Sequence, residues 1–184
     1  MPLASLFRRR PFEAEAFRLY GAAVAAARDP AWYARLGVPD TLDGRFDMIS
    51  VFVFLLIDRA RTDPDPRGSD LAQALFDAMF ADMDQNLREL GVGDLSVGKK
   101  VKTMWEAFNG RARAYAAAIE SPDRGALAEA LARNVWRTEA VPEAAHRLAK
   151  AVRREAEHLG RQDFKALAAG RVSFLGAERA LGQE

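Results

Sequence analysis

The chain of 184 residues suits one domain with a real core, and 27 Lys plus Arg against 26 Asp plus Glu leave a formal charge of +1. That balance argues against a general nucleic-acid binder, which needs a concentrated basic field to release counterions. With no cysteine, disulfides, thiolate catalysis, zinc–thiolate sites and iron–sulfur clusters are excluded.

In chain order, residues 1–11 (MPLASLFRRRP) read as a flexible arm. Leu3, Leu6 and Phe7 beside Arg8, Arg9 and Arg10 suit either a frayed terminus or contact with an anionic membrane surface. Arg9-Arg10-Pro11-Phe12 faintly matches a twin-arginine export signal, but Glu13, Glu15 and Arg18 follow where an uncharged apolar region should begin. The chain is therefore expected to be soluble and to stay where it is made. A first helix is predicted over 12–28, stopped by Asp29-Pro30, which together cap and start a short helix carrying Trp32, Tyr33 and Leu36. Gly37 ends that helix, and residues 38–44 form a loop of turn-favouring residues.

A helix over 45–61 contains Met48 to Ile57 (MISVFVFLLI), apolar nearly all round. A bilayer span needs about 20 such residues, so a helix enclosed by others is expected. Residues 62–68 read as an exposed, stiff connection rather than a domain boundary. Two long amphipathic helices follow, joined at Gly91 and Gly93 and spanning Ser69 to Tyr115. Leu71, Leu75, Met79, Met83, Leu87 and Leu90 form the apolar stripe of the first, widened by Phe76 and Phe80. Val97, Val101, Met104, Trp105, Phe108, Ala112, Tyr115 and Ile119 form that of the second. Asp70 with Gln73 is the expected cap of the first arm, and Ser96 that of the second. Further helices are predicted over 123–137, 142–159 and 163–169. No alternating strand appears. The fold class is all-α: one compact domain of about seven or eight helices, residues 12–175, around the central hairpin, with a tail over 176–184.

Few residues offer chemistry. Gly93 to Lys100 (GDLSVGKK) nearly matches a phosphate-binding loop, yet Lys100 replaces the hydroxyl that ligates magnesium and a helix precedes where a strand should. No nucleotide is expected. Glu143/His146 and Glu155/His158 both spell E-x-x-H, but they share one helix with the histidines twelve residues apart. That is ~18 Å of rise, too far to share a metal centre, so two surface histidines in ion pairs are expected, with no metal or other cofactor. Asp77, Asp82 and Asp84, with Lys99, Lys100 and Lys102, read as a solvated charged face or as a polar rim for docking. The methionines and aromatics of the hairpin fit either a core or a surface that accepts apolar helices of varied sequence.

The stretches ARLGVPDTLDGRFDM (Ala34 to Met48), LFDAMFADMDQNLRELGVGDLSVGKKVKTM (Leu75 to Met104) and EAFNGRARAY (Glu106 to Tyr115) closely resemble the ubiquinol–cytochrome c chaperone family, over roughly Phe12 to Phe174. The resemblance implies an all-helical domain that is not an enzyme and helps mature cytochrome b, the haem-bearing membrane subunit of the cytochrome bc1 complex (respiratory complex III). Mitochondrial relatives carry long N-terminal extensions. About a dozen residues precede the shared region here, which implies a bacterial member working on the cytoplasmic face of the inner membrane. Under that resemblance, Met79, Phe80, Met83, Met104, Trp105 and Phe108 are expected to floor a partner-binding groove, with Asp84, Lys99 and Lys102 as its rim. The partner implied is cytochrome b, with peripheral membrane contact and no nucleic acid. The alternative is a regulatory helical adaptor for a soluble protein.

Overall fold

A computed structural model describes residues 11–182. The expected flexible arm thus lies outside the described residues, apart from Pro11. Nine α-helical segments are present among the described residues: α1 (Glu13–Ala27), α2 (Pro30–Leu36), α3 (Leu42–Arg61), α4 (Gly68–Glu89), α5 (Asp94–Glu120), α6 (Ala126–Leu131), α7 (Glu143–Gly160), α8 (Phe164–Ala168) and α9 (Ala177–Leu181). A π-helical turn, Ala132–Trp136, extends α6. The chain is all-α, as its periodicities require.

Helix α3 is the axle. Its run from Met48 to Leu56 is buried on every side, and α1, α4, α5 and α7 all pack against it. This explains why the segment carries no polar stripe: with neighbours all round, no face meets water. The caps follow local chemistry. Asp29 Oδ1 accepts from Ala31 N at 3.0 Å, Thr41 Oγ1 from Gly44 N at 3.1 Å, and Gly37 closes α2 at φ 62. Thr41 thereby starts α3 three residues earlier than expected.

Two expected caps are not made. Helix α4 begins at Gly68, ahead of Asp70, and Gln73 donates instead to Asp77 Oδ1 at 2.8 Å. Helix α5 begins after Gly93 rather than at Ser96. Helix α4 starts early because nested Asx turns already bend the chain before it. Asp63 accepts from Asp65 N and Asp65 from Arg67 N, at 2.8 and 2.9 Å. Gly68 itself is buried where α3 and α4 nearly touch: a Cβ built there would lie 2.2 Å from the Ala60 carbonyl oxygen.

The segment expected as a tail from 176 holds α9, with Ala177 and Ala180 buried and Arg154 Nη1 donating to Ala180 O at 2.9 Å. Glu155 explains how this end is held. It is not the surface partner of a histidine but a buried carboxylate, accepting from Leu175 N at 3.0 Å. Burial raises its pKa above the usual range. His158 lies 3.1 Å from Ser173 Oγ.

A second buried carboxylate, Asp47 on α3, joins α5 and the π turn. Its oxygens lie 2.8 Å from Arg111 Nη2 and 3.1 Å from Arg137 Nη1, with neither contact aligned as a hydrogen bond. Arg111 also stacks over Phe46, 5.4 Å from the ring centre. Arg137 reaches Asp47 because the π turn ends on it in the left-handed region, φ 53, an uncommon conformation for a non-glycine residue. Burial pushes the Asp47 pKa up to about 6 against the pull of both guanidiniums.

Candidate functional site

Helices α4 and α5 pack against the body at one end and against each other at the other. The changeover is visible in burial. On α4 the last buried residue is Met79; beyond it every residue is half-buried or exposed. On α5, Val97 is buried but stands outside the main core, and the half-buried Met83, Leu87, Val101 and Met104 likewise do not pack on that core. The outer half of the hairpin therefore carries a small apolar set of its own.

An aromatic group marks the seam. Phe76 has its ring centre 4.7 Å from Phe80, 5.9 Å from Phe108 and 6.4 Å from Trp105, the last two edge-on. Phe108 closes the inner side of this group and is only 2% exposed, whereas Trp105 on the outer side is 46% exposed. Leu90, at the tip, is 67% exposed.

The nine expected site residues consequently separate into levels. Met79, fully buried, and Phe108 belong to the main core, so they support the proposed floor from beneath and do not present their side chains to a partner. Phe80, Met83 and Met104 are half-buried, and Trp105 stands out. Lys99 and Lys102 are exposed, with Lys102 Nζ 3.9 Å from Glu106. Asp84 does less as a rim than expected. Arg88 donates to it at 2.6 Å and also to Asp94 at 2.6 Å, so the carboxylate holds the guanidinium that ties α4 to α5 across the elbow. The Arg88 guanidinium holds the Asp84 pKa below the ordinary carboxylate value. Leu90 is the residue whose placement the stripe misjudged. Its neighbours Gly91 and Gly93 were the available signal, because a leucine at a turn between two helices has no body left to cover it.

The aspartates expected as one solvated face have separate tasks. Asp82 accepts from Tyr20 Oη at 2.6 Å, linking α1 to α4 just beyond the last buried residue of α4. Among the described residues no group of three His, Asp or Glu side chains is placed to hold a metal ion, and no helix is long and apolar enough to cross a membrane.

Residues 34–174 match the family described as ubiquinol-cytochrome C chaperone. The chain belongs to that family. A crystal structure described as the Cbp3 homolog from Brucella abortus is similar at 40% sequence identity, with a TM-score of 0.77, covering 95% of this chain and 97% of that one. No curated protein matches the chain. The span matched to the chaperone family runs from within α2 to the segment after α8, so it contains the whole hairpin, both buried carboxylates and the π turn. The family indicated by Ala34–Met48, Leu75–Met104 and Glu106–Tyr115 is thus the family found.

Proposed function

We propose that this protein is a non-enzymatic assembly chaperone that holds newly made cytochrome b for the cytochrome bc1 complex, and that the outer half of the α4–α5 hairpin is the holding surface. The observation that carries the reading is the set of side chains outside the main core, with Trp105 and Leu90 exposed beside half-buried Met83 and Met104, and with Phe80 at the edge of the core next to them. A membrane helix not yet in lipid exposes apolar surface, and covering about 400 Å² of it is worth on the order of 10 kcal/mol before ordering costs reduce this to a releasable affinity. Methionine suits the task because its unbranched side chain repacks around varied partners. Lys99 and Lys102 at the edge would set orientation and on-rate more than affinity. Work on such a client places the protein at the cytoplasmic face of the inner membrane, as a peripheral component.

A photo-crosslinking residue at position 83, 102 or 105, introduced during synthesis of the complex, is expected to capture cytochrome b, while the same probe at Lys150 on α7 captures none. Capture from Lys150 alone overturns the placement. Unchanged bc1 content after gene deletion overturns the function.

A further inference from the structure

A second apolar surface lies away from the hairpin tip, in an open groove of about 300 Å³ between the start of α1 and the first half of α4. Phe17, Ala74, Ala78 and Ala81 line it, and Phe17 is 44% exposed. Glu13, Asp70 and Asp77 contribute the charge, and no cation is among the described lining residues. Pro11 forms part of the wall, so the chain that precedes it starts at the groove.

We propose that residues 1–10 (MPLASLFRRR) of the same chain seat in this groove, Leu3, Leu6 and Phe7 covering Phe17 and the alanines while Arg8, Arg9 and Arg10 meet the acidic wall. Two features of the molecule select this occupant. The first is charge: three arginines in a row precede Pro11 in the sequence, and the ionisable lining among the described residues is acidic. The second is reach. From Asp70 to Ala81 the groove follows ~16 Å of helix, and ten extended residues span up to ~33 Å, so the apolar positions can lie along it without pulling on α1. Seating is intramolecular, so the tether supplies a high effective concentration and a shallow groove suffices.

The absence of cysteine makes a direct test possible in the full chain. Ser5→Cys is paired with Ala81→Cys in the groove, or with Arg171→Cys. Arg171 follows Gly170, which lies against Arg18, and provides an exposed target also near α1. Under an added oxidant, the 5–81 disulfide is expected to form within one chain at least tenfold faster than the 5–171 disulfide. High salt, or the change of Arg8, Arg9 and Arg10 to Ser, is expected to erase that preference. Equal rates at the two targets overturn the proposal, as does a preference that survives the serine variant. A disulfide between two chains assigns the groove to a second copy's segment and overturns intramolecular seating.

Discussion

The Tyr20 hydroxyl donates to Asp82 Oδ2 at 2.6 Å across the α1–α4 interface, just past the point where α4 stops contributing to the core. Burial and this acceptor both raise the Tyr20 pKa, so the phenol stays protonated and the bond persists through the neutral range. Among the described residues it is the last hydrogen bond between body and hairpin on the α1 side of α4. Tyr20→Phe keeps the ring and removes the tie. The expected cost is about 1 kcal/mol in denaturant unfolding, with faster amide exchange over 83–90 and unchanged exchange over α7. Uniform change across both regions would show that the bond does not govern the hairpin.

Foundation and surface of the hairpin should respond differently to truncation. Met79→Ala and Phe108→Ala empty the core and are expected to cost about 3–4 kcal/mol each. Trp105→Ala removes a half-exposed ring and should cost about 1 kcal/mol or less, while lowering crosslinking of cytochrome b severalfold. A Trp105 variant with full capture removes that ring from the holding surface.

Gly68→Ala tests the closeness of α3 and α4. Helix propensity alone favours alanine by about 1 kcal/mol. The Cβ, however, would sit 2.2 Å from a backbone oxygen of α3, so a net loss of about 2 kcal/mol is expected in thermal or denaturant unfolding. A stabilised variant would mean the helices part easily there.

Asp47 predicts a pH dependence. Its carboxyl keeps its proton up to about pH 6 in the folded chain, while the ordinary value of 3.8 applies once unfolded. The folded state therefore binds more protons across that window, and the contribution of Asp47 to stability falls as pH rises through it. About two pK units correspond to about 3 kcal/mol, an order-of-magnitude figure. The difference in unfolding free energy between the natural chain and Asp47→Asn should accordingly shift in favour of the natural chain as pH falls from 7 to 4. Parallel stability curves would place the titration elsewhere.

Glu155→Ala should act locally. It removes the acceptor of Leu175 N and opens a buried site, so α9 and the segment before it are expected to lose protease resistance before the rest of the chain does, at about 2 kcal/mol of local stability.

The order of amino acids by itself determined helices α1 to α8, the hairpin and the family, whereas α9 stands where the sequence reads only as a tail. The stripes of α4 and α5, the unbroken apolar run of α3 and the Asp29-Pro30 stop are local patterns, and local backbone energetics answer to them directly. It could not assign depth. Met79 and Met83 stand one turn apart on the same stripe, and so do Trp105 and Phe108 at nearly the same turn, yet one of each pair is sealed and the other is not. Periodicity names the face that seeks cover, but how far along the hairpin cover extends depends on where α1 and α3 end in space. The same holds for Asp47 and Glu155, which look like any surface acid in sequence. Only the folded chain brings Arg111 and Arg137 to the one and the Leu175 amide to the other, across separations that no local pattern spans.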